Sequence, residues 1–182
     1  MLLRLALTLE ENGQMGNDIL KKLGVDWVTK DGFLDMAKIP IDSTLRQSVC
    51  KNEEDFNSSC RTLISMYSAG RTEAAIFLYG LLIHNCKDIV RKEIIVNALG
   101  HVKTKESADL LFRELQQTES SNSTRVYINT ILKSLKYFPL ENVREGFEAL
   151  LNDRKWSYRM KNKFKDILND DADSFNEELL YR

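Results

Sequence analysis

Ala75, Leu78, Tyr79 and Leu82 recur thirty-three positions later as Ala108, Leu111, Phe112 and Leu115, apolar for apolar and with the same internal spacing. Each set follows the i, i+3, i+4, i+7 pattern of one helical face, so the repeating unit contains an amphipathic helix. A period of this length is typical of helical hairpins stacked side by side, because a lone hairpin cannot bury both of its apolar sides. The expected fold is all-α: an α-solenoid of about three helical hairpins. Such arrays serve many functions, so the recurrence constrains architecture and leaves activity open.

The partner helices repeat as well. Ile95, Ala98, Leu99 and Val102 return as Ile128, Ile131, Leu132 and Leu135, and Tyr127, Ile131 and Leu135 return as Met160, Phe164 and Leu168, again thirty-three residues on. Val143, Phe147 and Leu150 follow Ala108, Phe112 and Leu115 by thirty-five, which places two extra residues in a loop. The spacing predicts helices over about 54–68, 72–85, 88–102, 141–152 and 157–168. A further helix should follow the loop 103–106, and another should follow the polar cluster Ser120–Thr124 and be closed by Pro139. Ala69-Gly70 reads as a helix stop and Asp88 as an N-cap.

Upstream the pattern changes. The run Met1–Leu9 is apolar but too short to span a bilayer, and Glu10-Glu11 follows it; it reads as a buried helix, or as the stump of a longer parent chain. A helix is expected over 15–23. Asp31-Gly32 between the short β-prone runs Trp27-Val28-Thr29 and Phe33-Leu34 signals a hairpin, although the runs are short enough for a mere turn. The expected organisation is an N-terminal cap over 1–52, mostly helical with this short hairpin, then repeats over 53–168 and an acidic tail over 169–182.

The run Asp88-Ile89-Val90-Arg91-Lys92-Glu93-Ile94-Ile95-Val96-Asn97-Ala98-Leu99-Gly100, followed by Ala108, Leu111 and Leu115, resembles a HEAT repeat of the short bacterial type. That family shows Val-Arg early in its first helix, Ala-Leu-Gly near its end, and a spaced Ala and Leu series in the second. The resemblance covers about 54–168, with the whole signature in the central copy. The third copy keeps Arg125 but has Leu132-Lys133-Ser134 in place of Ala-Leu-Gly. The resemblance implies a right-handed superhelix whose curved faces bind proteins or nucleic acids; a few members of the family are enzymes.

Chemistry has little to stand on. His84 and His101 are the two histidines, seventeen apart, and His84 and Cys86 at i, i+2 point to different helix faces. No clustered Cys and His, Gly-rich phosphate loop, nucleophile elbow or His-Glu-x-x-His occurs, so no metal, cofactor or catalytic residue is expected. Gly80 and Gly100 read as sites of close helix packing, and Trp27, Phe33 and Tyr67 as core aromatics or a small aromatic pocket. Three cysteines, Cys50, Cys60 and Cys86, without a Cys-x-x-Cys argue against a disulfide framework and for a reducing, cytoplasmic setting.

A net charge of −1 gives no whole-molecule pull on nucleic acid or anionic lipid, so any such binding must come from a patch. Two patches qualify. Arg91, Arg125 and Arg159 stand thirty-four apart at the heads of successive first helices, either a ladder for anions or three locally paired structural arginines. The run 154–165 carries six cations and no acid, with Lys155, Trp156, Tyr158, Arg159, Lys161 and Lys163 interleaved. Cations beside exposed rings suit single-stranded nucleic acid. Against that, Met160, Phe164 and Leu168 follow core spacing, and the acids from Asp166 to Glu178 can offset the charge. The expected function is a non-enzymatic module that binds a protein partner through a curved helical surface. Nucleic-acid binding through these cations is the alternative, and a HEAT-like DNA glycosylase using Trp156, Tyr158 and the tail acids is a more distant one. No membrane association is expected.

Overall fold

The computed structural model describes the backbone of residues 17–84 and 88–180, and the side chains of residues 18–84 and 88–169. The apolar run Met1–Leu9, the residues before Asn17 in the first expected helix, and Cys86 lie outside the described residues. So do the side chains of the tail acids from Asp170 onward. Among the described residues the structure is all-helical, without strands, and divides into two compact units that meet in sequence at Val102 and Lys103.

The first unit contains α1 (Asn17–Lys22), α2 (Ser43–Ser48), α3 (Glu53–Ser68), α4 (Glu73–His84) and α5 (Ile89–Val102). Asn52 starts α3: its side chain accepts from the Asp55 N–H at 2.8 Å, and Glu53, Glu54 and Asp55 complement the positive end of the helix dipole. Gly70 stops it. At φ +88°, a conformation costly for residues with a Cβ, Gly70 donates to the Tyr67 carbonyl while Arg71 donates to Met66, the paired bonds of a Schellman cap. Asp88 is the N-cap of α5, its carboxylate accepting from the Arg91 N–H at 3.1 Å.

Helix α4 is apolar on nearly every side, and α1, α3 and α5 all pack on it. That is the pattern of a helix enclosed by others. Beside it, Trp27–Leu34 reverses at Gly32 (φ +81°), with Thr29 donating to Phe33 and Asp35 to Trp27, both at 2.8 Å. One antiparallel bridge joins Val28 to Leu34, and neither side extends into a strand. Leu34 rests on Gly80 of α4, where a Cβ would come within 2.2 Å of its Cδ1, so glycine at this position lets the turn seat on the helix.

The second unit contains α6 (Lys105–Gln117), α7 (Arg125–Leu135), α8 (Leu140–Asn152) and α9 (Tyr158–Leu180). Helix α6 packs on α7 and α8, and α8 packs on α9. Thr104 caps α6 by accepting from the Ser107 N–H at 3.1 Å. Two boundaries differ from expectation. Helix α7 ends at Leu135, and Pro139 stands at the N-cap of α8 rather than closing α7. Proline lacks the N–H that a helix interior needs, but a helix start does not use that donor. Helix α9 runs to Leu180 instead of stopping near 168, as no glycine or proline interrupts 158–180.

Most of the recurring apolar residues form the core; Met160 and Leu168, on the flank of α9, are half-buried. Ala75, Leu78, Tyr79 and Leu82 are buried in the first unit, as are Ala108, Leu111, Phe112 and Leu115 in the second. The same holds for Ile95, Ala98, Leu99 and Val102 and for Ile128, Ile131, Leu132 and Leu135. Full burial of each large member contributes about 1.5–3 kcal/mol, so this pattern is the main stabilising feature of both units. One position breaks it. Where the repeat has Leu78 and Leu111, the third copy has Gly146, and the Phe112 ring fills the space, 2.3 Å from where a Cβ would stand.

Candidate interaction surface

Arg91 is held inside the first unit. Its guanidinium donates to the Val49 carbonyl at 3.3 Å and to the Lys51 carbonyl, pairs with Asp88 at 3.4 Å, and lies 4.9 Å above the Phe56 ring. These contacts tie the head of α5 to the segment between α2 and α3. A guanidinium with this many partners is a structural tie, with little left to offer a ligand.

Arg125 and Arg159 belong to the second unit and are exposed. Arg125 donates to the Asn122 side chain at 2.6 Å; Arg159 has no ion pair or hydrogen bond among the described residues. Tyr158, the first residue of α9, is 79% exposed, and Val126, one residue after Arg125, is 64% exposed. Lys163 donates to Asn129 of α7 at 3.0 Å, which sets α9 beside α7, and Lys161 is half-buried.

Two members of the basic cluster are not available to stack or to neutralise phosphates. Trp156 is 3% exposed and meets Phe164 edge-on at 5.5 Å, so its ring belongs to the core. Its indole Nε1 has no hydrogen-bond partner among the described residues. The Lys155 ammonium donates to the carbonyls of Leu115 (3.1 Å), Gln116 (2.7 Å) and Thr118 (2.7 Å) and lies 5.0 Å above the Trp156 ring. The carbonyls at a helix C-terminus lack intrahelical partners and carry its negative dipole end, and a cation satisfies both needs. Burial lowers the Lys155 pKa from the usual lysine value, against the pull of Asp153 and Glu119. Exposed around the heads of α7 and α9 are Arg125, Val126, Tyr158 and Arg159; Arg154 and Lys165 of the basic run are exposed as well.

On α6 and α8 a groove of about 320 Å³ is lined by Lys105, Asp109, Arg113, Gln116, Asn142 and Glu145. Lys105 pairs there with Asp109 at 3.8 Å and with Glu145 at 3.6 Å, so its charge is already compensated. A feature that the sequence reading did not single out lies between α6 and α7: the buried Tyr127 hydroxyl donates to the buried Glu114 carboxylate at 2.7 Å. The signal was present, since Glu114 stands at i+4 from Leu110 and i+3 from Leu111, on the inward face.

His84 and Cys60 of the first unit are similarly committed to packing. His84 stacks on Phe33 at 5.5 Å, its buried Nδ1 has no partner among the described residues, and burial lowers its pKa. Cys60 is 1% exposed, and burial pushes its thiol up to about 12. A thiol with so high a pKa is a weak nucleophile at neutral pH. Cys50 is exposed. Trp27, Phe33 and Tyr67 are each half-buried. Among the described residues no group of acids, histidines and cysteines is placed to hold a metal ion, and no helix is long and apolar enough to cross a membrane. Comparison with protein-family models, with curated proteins and with solved structures gives no match.

Proposed function

We propose that the chain is a non-enzymatic, HEAT-like helical-repeat module of the cytoplasm, an α-solenoid that binds a protein partner through its helical surface. One observation carries this reading: nearly all the residues that recur along the chain are buried, and most of the chemically distinctive side chains near them are absorbed into packing. Arg91, Lys155, Trp156, Cys60 and His84 are each committed to holding helices or loops together. What differs along the array is the exposed surface, and repeat proteins bind through such surfaces.

Residues 1–52 would cover the first hairpin, since an end repeat otherwise exposes its apolar side. Affinity capture with the tagged chain from its native cell tests the reading. The expected result is a protein recovered in stoichiometric amount and reconstituted with purified components. Recovery of no such partner across several salt and detergent conditions would count decisively against it.

A further inference from the structure

The heads of α7 and α9 lie level at one end of the second unit. Lys155, three residues before α9, reaches the carbonyls that end α6, and α7 begins seven residues after the last of these, Thr118. Further along, Lys163 of α9 meets Asn129 of α7 at 3.0 Å. Asn129 and Lys163 are thirty-four residues apart, as are Arg125 and Arg159, which lie about one turn nearer the helix starts. Arg125 and Arg159 therefore stand at the same level on neighbouring helices, with Val126 and Tyr158 exposed beside them.

Acids are absent from α7 and from the stretch that leads into α9. Helix α7 carries Arg125 and Lys133 and no acid, and 154–165 carries six cations and no acid. Acids stand instead on α6 (Glu106, Asp109 and Glu114), on α8 (Glu141, Glu145 and Glu148) and on α9 from Asp166 onward, about two turns beyond its head. Near the two arginine heads the acids are Glu119 and Asp153, which act on Lys155.

We propose that Arg125, Val126, Tyr158 and Arg159 form a docking ridge for an acidic protein segment that carries apolar side chains between its carboxylates. The ridge rests on the reading of the chain as a protein-binding module and supplies its partner chemistry. Two level guanidinium groups offer planar forks that match carboxylates. Val126 and Tyr158 supply apolar contact at the centre, and arginine and tyrosine are the residues on which interface energy concentrates. A nucleic-acid strand fits less well. It would use one exposed ring, because Trp156 is buried, and it gains nothing from valine, which has no π-face to stack on a base.

The test is fluorescence anisotropy with the full chain and a labelled peptide of repeated Glu-Glu-Leu, beside its Gln-Gln-Leu counterpart and an oligothymidine. The expected result is binding of the acidic peptide alone, weakening as salt is raised. It should fall about tenfold or more in the double variant Arg125→Glu/Arg159→Glu and severalfold in Tyr158→Ala, and stay unchanged in Lys22→Glu on α1. All substituted positions are exposed, and circular dichroism should be the same for each variant.

Absence of peptide binding, equal binding by the arginine double variant, or tighter binding of oligothymidine would each overturn the ridge. Self-association that disappears in the double variant would also overturn it, assigning the ridge to a second copy of the chain. A captured protein partner that binds the double variant as well as the parent would overturn the ridge while leaving the module reading intact.

Discussion

Replacing Gly146 with alanine sets two effects against each other. In the interior of α8, alanine favours the helix over glycine by about 1 kcal/mol. At this position, however, the new methyl group would lie 2.3–2.5 Å from three ring carbons of Phe112. The ring has nowhere to move: it is 7% exposed and set edge-on against the fully buried Phe147, with centroids 5.0 Å apart. Overpacking of this kind costs about 1–3 kcal/mol. Gly146→Ala should therefore destabilise the protein by up to about 2 kcal/mol despite the better helix former. Phe112→Leu alone should cost about 1–3 kcal/mol through lost burial and a partial cavity. In that background the clash is gone, and Gly146→Ala should become neutral or stabilising by up to about 1 kcal/mol. The two changes are thus coupled by more than about 1 kcal/mol, measurable as a double-mutant cycle from urea unfolding of the four full-length proteins. Additivity within about 0.5 kcal/mol, or a stabilising Gly146→Ala in the parent, would refute the reasoning.

Three other outcomes follow from buried polar groups. Tyr127→Phe leaves the buried Glu114 carboxylate without its phenolic donor and should lower stability by about 1–3 kcal/mol in the same urea assay; an unchanged midpoint would remove the bond from the list of stabilising contacts. The pKa of His84 is lower folded than its ordinary 6.5, so the unfolded chain binds the proton first. Its contribution is fully present above pH 6.5 and is lost as the pH falls through the folded value, and His84→Leu should flatten this acid limb. Cys60 has the opposite sign. With a thiol at about 12 in the fold against an ordinary 9, its contribution is intact below pH 9 and is lost between pH 9 and 12. The loss reaches at most about 4 kcal/mol, and Cys60→Ala should shrink the alkaline dependence of the unfolding midpoint.

The core was legible in the sequence because burial along a helix is periodic. Leu78, Leu111, Ile95 and Ile131 announce their burial by spacing alone, and all are buried. Gly70 and Asp88 were legible because caps are local, each needing a backbone neighbour three or four residues away. Pro139 was ambiguous for a physical reason: the same missing N–H fits just after one helix or at the start of the next. The basic run 154–165 was readable as charge but not as geometry. Trp156 and Lys155 lie in the turn before α9, where no period tells inside from outside, and the three carbonyls that hold Lys155 are thirty-seven to forty residues away. The substitution of Gly146 into a leucine position was visible in the repeat, but its cause, a ring on another helix, was not.

The bond network of Lys155 also has a kinetic side. The last turn of a helix normally frays first, since its carbonyls are held by nothing but water. Here the end of α6 is fastened by a side chain from forty residues further on, at the doorstep of α9. Fraying of one terminus therefore releases the other, and the two should exchange their amide hydrogens as one opening event, at a common rate, instead of as two independent loose ends.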